Sequence, residues 1–119
     1  MTTELMERRT YQTGALIFKQ GDSANNAYVV QEGSVEIFIA KDDGVQVLAT
    51  IPKGGIFGEM ALIDDTPRMA SARMGKGGTV VIVNRSTIDQ KLAKTDPFIR
   101  TLLNIFVQTI RRLSDEKTT

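Results

Sequence analysis

The 119-residue chain has no cysteine, no histidine, no tryptophan and only three prolines. Without cysteine there is no disulfide framework and no thiolate chemistry, which suits a reducing compartment. Without histidine as well, zinc sites built on imidazole or thiolate are excluded, and so are His-based acid–base catalysis and the Ser–His and Cys–His pairs. The composition argues against an enzyme and implies no metal site and no cofactor. An excess of one charge is also missing. With 15 basic and 14 acidic residues the net charge is +1, which gives no broad positive field for nucleic acid to follow, so no direct nucleic acid binding is expected. No apolar run approaches the roughly 20 residues of a membrane helix, and Met1-Thr2-Thr3-Glu4 begins nothing like a secretory signal. A cytoplasmic protein without membrane insertion is expected.

What is present fits one soluble domain over residues 1–119, with 41% hydrophobic and 24% charged residues able to bury a single core. Met1 to Arg9 is polar and reads equally as a short helix or a frayed arm. From Tyr11 to Leu48 short β-prone runs alternate with turn signals. Leu16-Ile17-Phe18 is the first clear strand. Ala27–Gln31 and Ser34–Ala40 flank an expected tight turn at Glu32-Gly33, and Asp43-Gly44 marks a hairpin whose return strand is Val45–Ile51. Ala70–Met74 and Thr79–Val83 read as two further strands around Gly75-Lys76-Gly77-Gly78. Roughly seven or eight strands are too many for one flat sheet of this size and should close into a two-sheet roll spanning about residues 8–84.

After Asn84 the period changes from two to about 3.6. Ser86-Thr87-Ile88-Asp89 has the form of a capping box with Asp in place of Glu, opening a short helix with Ile88 and Leu92 on one face. Asp96-Pro97 opens a second helix, Asp as N-cap and Pro at the first helical position. Along it Ile99, Leu102, Leu103, Phe106, Ile110 and Leu113 repeat at helical spacing, opposite Arg100, Asn104, Gln108, Arg111 and Arg112. This predicts an amphipathic helix laid on the roll, with a loose tail from Ser114. The fold expected is mainly β with flanking α, the two helices covering about residues 86–114.

One stretch resists a packing explanation. Gly54-Gly55, Phe57, the Gly58-Glu59 pair and an arginine nine residues further on, Arg68, make better sense as an anion cradle. Gly58 lets backbone approach a ligand with no Cβ in the way, and a helical turn over Glu59–Leu62 aims unpaired N–H groups outward. Arg68 supplies a planar fork that matches a phosphate, and the N–H groups of Met69 and Ala70 lie beside it. Glu59 would repel a phosphate unless it accepts from another group on the same ligand, and a ribose hydroxyl meets that need. Met60 and Met69 read either as core fillers or as ligand contacts. Asp64-Asp65 reads as a solvated pair with no chemistry.

Phe57-Gly58-Glu59-Met60-Ala61-Leu62 followed by Thr66-Pro67-Arg68-Met69-Ala70-Ser71 resembles the phosphate-binding cassette of cyclic nucleotide-binding domains. These are the sensors of protein kinase A regulatory subunits, cyclic-nucleotide-gated channels and bacterial catabolite activators. Gly14–Asp22 and Ala27–Val35 carry two flanking signatures of the same family. The resemblance implies a jelly-roll-like double-stranded β-helix followed by two C-terminal helices. It implies that Arg68 pairs with a cyclic phosphate surrounded by the N–H groups of Gly58, Ala61, Met69 and Ala70, and that Glu59 receives the ribose 2′-hydroxyl. Ser71 occupies the Ser/Thr position that closes the motif. Phe106 or Ile110 on the last helix is the candidate cap over the base. Met69 stands where cGMP-preferring members often place Ser or Thr, so cAMP is expected ahead of cGMP.

The implied protein is a regulatory module, not a catalyst. It couples occupancy to movement of its C-terminal helix and acts on an effector outside this chain; a homodimer is compatible with it. Two rivals stand beside this reading. A degenerate roll could serve only as a docking module, against which the intact Glu59 and Arg68 argue. A cupin-like metal enzyme would need histidines that the chain lacks.

Overall fold

The computed structural model describes residues 7–118, with side chains over 7–63 and 65–113. The expectation left open at Met1–Arg9 falls largely outside that range; within it, Glu7–Tyr11 is a strand, β1. Then follow β2 (Leu16–Phe18), β3 (Asn26–Lys41), β4 (Gly44–Ile51), β5 (Ile56–Phe57), α1 (Met60–Asp64), β6 (Ser71–Asn84), α2 (Arg85–Ala93) and α3 (Pro97–Thr118).

Two long antiparallel strands, β3 and β6, form the spine. β1 pairs with the second half of β6 and β2 with its first half. β5 joins the start of β3, and β4 its end, through the Asp42-Asp43 turn. Each long strand therefore serves both halves of the roll. This corrects the strand count: the turn expected at Glu32-Gly33 and the loop expected at Gly75–Gly78 are matched irregularities inside two continuous strands, where the register shifts between Val30 and Val35. Gly33 has φ +86°, and a Cβ there would run into the carbonyl oxygen of Lys76; a Cβ on Gly78 would run into that of Glu32. The strands cross closely because both are bare at that point. Side chains replace the lost ladder bonds, the Lys76 N–H donating to Ser34 Oγ at 3.1 Å and the Gly77 N–H to Thr13 Oγ1 at 3.0 Å.

Inside the roll Tyr28, Val30, Val35, Phe57, Ala72, Met74, Val80 and Ile82 form the main core. A second, smaller cluster of Ala24, Ala27, Ala61 and Leu62, with Ile88 against it, joins α1 and α2 to the loop before β3. The α2 cap is Asn84, whose Oδ1 accepts from the Thr87 N–H at 2.8 Å, so the box expected at Ser86 does not form. Asn84 ends β6 in an extended conformation and is placed to cap the turn that follows directly. Asp96 caps α3 as expected, accepting from the Phe98 N–H at 2.8 Å, and the helix runs through the tail expected to be loose. The helix is not laid along the roll. Its main contact is with α1, and among the described residues its one buried side chain is Val107, while Ile99, Phe106, Ile110 and Leu113 from the expected stripe are exposed.

The crossing of the long strands yields a stability test. Gly14 also has positive φ (+84°) but has nothing within 4 Å of a built Cβ. Gly14→Ala should cost about 1 kcal/mol, the penalty of a left-handed alanine, whereas Gly33→Ala adds a backbone collision and should cost about 3 kcal/mol or more. Urea midpoints at constant m-value check the difference.

Candidate functional site

β5 ends at Phe57, and the chain turns at Gly58 into α1. The turn uses φ +79° at Gly58, and a Cβ there would come within 2.9 Å of Arg68 Nη1. Glycine is needed twice over, for the conformation and for the arginine. The turn, α1 and the segment Arg68–Ala70 close one side of a cavity, mostly apolar, with about 560 Å³ of free space including its open mouth. Phe18, Ile37, Ile51, Ile56 and Phe57 form the apolar wall. Glu59 and Arg68 supply the charged groups from the cassette, and Arg111 reaches in from α3.

Arg68 is the most constrained of these. It is 5% exposed. Nη1 donates to the Gly58 carbonyl and Nη2 to the Asn26 carbonyl, both at 2.6 Å. Its guanidinium lies 4.1 Å above the Phe18 ring centre and 5.7 Å from that of Tyr28, a cation–π arrangement that gains from desolvation. The backbone is pinned too, the Arg68 N–H donating to the Asp22 carbonyl and its carbonyl accepting from the Gly21 N–H. None of the described ion pairs includes Arg68. Asp65, one of the two neighbours that could have neutralised it, pairs instead with Arg85 at 3.1 Å. Burial is the main force pulling the Arg68 pKa down, opposed by Tyr28 and Asp22, but a guanidinium stays protonated at any working pH. The result is a buried cation facing a cavity with Nε unpartnered.

Glu59 occupies the N-cap position of α1 but makes no capping bond with its side chain. That removes the ordinary structural account of a helix-start carboxylate. Its Oε2 is buried without a partner, and burial pushes the carboxyl above its usual range, against the pull of a backbone hydrogen bond and the charge of Arg68. A carboxylate and a guanidinium, each with a buried unsatisfied atom, thus line one cavity. Unpaired buried polar atoms are costly, and here both belong to residues that line one cavity.

Of the residues singled out from sequence, Gly58, Glu59, Met60, Ala61, Arg68, Met69 and Ala70 come together around this cavity. Ser71 does not: its Oγ accepts from the Gln20 N–H at 2.9 Å and ties the turn after β2 to β6. Phe106 and Ile110 also lie outside the lining, 53% and 47% exposed. The α3 residue at the cavity is Arg111, which sequence reasoning assigned to the polar face. Its signal was Val107: Leu103, Val107 and Arg111 follow at i, i+4 and i+8, and the buried valine puts the arginine on the inner side. The carbonyls of Asp22 and Asn26 have no signal in residue identity, because backbone supplies them.

With this geometry in hand, comparison with known proteins is informative. The profile of the cyclic nucleotide-binding domain matches residues 8–95. The cAMP-dependent protein kinase type II regulatory subunit of Drosophila melanogaster is 39% identical over 72 residues, which is 60% of this chain and 19% of that relative. The chain spans about a fifth to a quarter of the length of such curated relatives. Among solved structures, EAL enzyme Bd1971 in its cAMP-bound form superposes with a TM-score of 0.87 at 28% identity, covering 94% of this chain and 30% of that one; its cGMP-bound form gives 0.84 at 29%, covering 92% and 30%. The Thermus thermophilus catabolite activator protein gives 0.70 at 29%, covering 95% and 52%. These neighbours share the jelly-roll with C-terminal helices expected from the sequence. Because the profile spans both long strands and the whole Gly58–Ala70 side of the cavity, the chain belongs to the cyclic nucleotide-binding domain family.

Proposed function

We propose that this domain binds a cyclic nucleotide, cAMP in preference to cGMP, and acts as a regulatory sensor for an effector outside the chain, in the cytoplasm. The observation that carries the reading is a carboxylate and a guanidinium, Glu59 and Arg68, that line one cavity and each keep a buried atom without a protein partner, Oε2 and Nε. A cyclic nucleotide brings an anion to the guanidinium and a ribose 2′-hydroxyl to the carboxylate, with the cassette N–H groups around the phosphate. Ile37, Ile51 and Ile56 offer an apolar bed to the base. Met69 lines the same cavity and offers guanine no partner comparable to a hydroxyl. Bd1971 has been solved with either nucleotide, so the preference rests on Met69. Arg111 brings α3 to the ligand's edge, which supports a helix that responds to occupancy.

Titration calorimetry with cAMP should give saturable heat, and cAMP at 1,000 times Kd should stabilise the fold by about 4 kcal/mol. Arg68→Ala should weaken cAMP by about 3 kcal/mol, roughly 150-fold, and shrink the thermal shift accordingly. Absence of heat and of any thermal shift with millimolar cAMP and cGMP would leave the docking-module reading in its place.

Glu59 gives a pH signature. Its carboxyl is held above the usual range in the folded protein, so the folded state binds that proton more tightly than the unfolded chain. Stability of the unliganded domain therefore falls as pH rises from the ordinary carboxylate range through the raised pKa. Accepting from the ribose hydroxyl uses the ionised form, so cAMP affinity should drop as pH falls through the same range while 2′-deoxy-cAMP affinity stays flat. Glu59→Gln should raise the unliganded Tm at pH 7 and weaken cAMP by about 2 kcal/mol, roughly 30-fold.

Selectivity follows from Met69. Wild type should bind cAMP more tightly than cGMP, and Met69→Thr should move the ratio toward cGMP by about 1 kcal/mol, the net value of one hydrogen bond. Competition of both nucleotides against one fluorescent analogue measures it.

A further inference from the structure

The loop between β2 and β3 is held by two arginines that share its carbonyls. The Asp22 carbonyl accepts from the Arg68 N–H and the Asn25 carbonyl from the Arg85 N–H, at 2.9 and 2.8 Å. The Ala24 carbonyl accepts from Arg85 Nη2 at 2.8 Å, and the Asn26 carbonyl from Arg68 Nη2 at 2.6 Å. The same Arg85 Nη2 lies 3.1 Å from Asp65 Oδ1. Asp65 closes α1 in a left-handed conformation, φ +57°, the one positive value outside glycine among the described residues. Arg85 is the first residue of α2. It thus grips both ends of what positions Arg68: the loop that carries the Asn26 acceptor, and the end of the cassette helix.

We propose that Arg85 is a positioning residue for the cyclic nucleotide site. It acts through Arg68 by fixing the Ala24 and Asn25 carbonyls, which lie between the Asp22 and Asn26 carbonyls that Arg68 uses, and it links the cassette to α2. Arg85 does not line the ligand cavity, so its effect on binding is indirect. The exposed Asp65 carboxylate, 84% accessible, is worth little as an ion pair in solvent; the two bonds to the Ala24 and Asn25 carbonyls carry the effect, because these residues lead directly into Asn26 at the start of β3. A fork is suited to this task, since one guanidinium meets an exposed carboxylate and a recessed carbonyl from a fixed plane.

The inference rests on the nucleotide reading, and two measurements keep its failure separate from the failure of that reading. The first uses unliganded protein. The Arg68 Nε–H is buried, so its nitrogen-15 NMR signal should be sharp and exchange slowly with solvent. Arg85→Ala should speed that exchange at least tenfold while Asp65→Asn leaves it near wild type. Unchanged Arg68 exchange in Arg85→Ala overturns the proposal whether or not cAMP binds. The second is a double-mutant cycle on cAMP affinity. Arg85→Ala should weaken cAMP about tenfold, a middle value for coupled neighbours, and should have no further effect when Arg68 is already alanine. Effects that multiply, or a Kd unmoved by Arg85→Ala, overturn the positioning role. A merely structural role for Arg85 would lower Tm in both backgrounds without this non-additivity. If Arg85→Ala does not fold, Arg85→Lys runs in the same cycle: it keeps the charge near Asp65 but not the planar fork, and a wild-type Kd and Arg68 exchange rate in it would refute the proposal equally. Should wild type bind neither cAMP nor cGMP, the functional reading fails while the exchange experiment still decides whether Arg85 sets Arg68.

Discussion

Arg68 carries a full positive charge to a place where 5% of the residue meets solvent, and among the described ion pairs none neutralises it. Moving a charge out of water is costly unless other dipoles replace the hydration. Here the replacements are two backbone carbonyls and the faces of two aromatic rings. Each imposes a condition on the chain. The Gly58 carbonyl faces the guanidinium only if the turn takes positive φ without a Cβ; the Asn26 carbonyl does so only if the loop before β3 is fixed; Phe18 and Tyr28 must come from β2 and β3 to the same spot. The roll can be viewed as the frame that meets these conditions together. A cation solvated by the protein's own dipoles in advance pays little reorganisation when an anion arrives, the same logic that makes preorganised dipoles effective in enzyme sites.

Much of this was legible from residue identity. The cassette could be read because its requirements fall on side chains with few substitutes: glycine for conformation, arginine for a planar fork, glutamate as an acceptor. The Asp96-Pro97 helix start was legible for the same reason, and so was the hairpin, although its turn is Asp42-Asp43, one residue before the expected Asp43-Gly44, with Gly44 opening β4. What was not legible depends on partners distant in sequence. Glu32-Gly33 and Gly75–Gly78 each look like a turn when read alone; only their mutual crossing makes them bulges. Ser71 matches its motif, yet its hydroxyl is taken by the Gln20 N–H. Hydrophobicity alone marks Phe106 and Ile110 as the inner face, whereas the orientation of α3 follows Val107, leaves these larger apolar residues outside and brings Arg111 to the cavity.

The two clusters divide the labour. The roll's core, built on Tyr28, Val30, Val35 and Val80, secures the strands that hold the cavity wall. The smaller one, built mostly of alanines with Leu62 and Ile88, joins the cassette helix to α2. Small side chains bring backbones close but bury little apolar area, so this contact can shift at lower cost than the roll can. The contact that backs the cavity at Ala61 is therefore less committed to one packing than the roll is.

Among the described residues of α3, Val107 is the single fully buried side chain, with Leu102 and Leu103 half-buried. Burying a valine is worth about 2 kcal/mol, against the 5–15 kcal/mol that typically separates a whole domain from its unfolded state. A helix held by so little apolar burial would open without melting of the roll, and native-state amide exchange would see it as a separate unit of low protection. For such an opening, one added contact of about 1.4 kcal/mol would shift the ratio of docked to undocked helix tenfold.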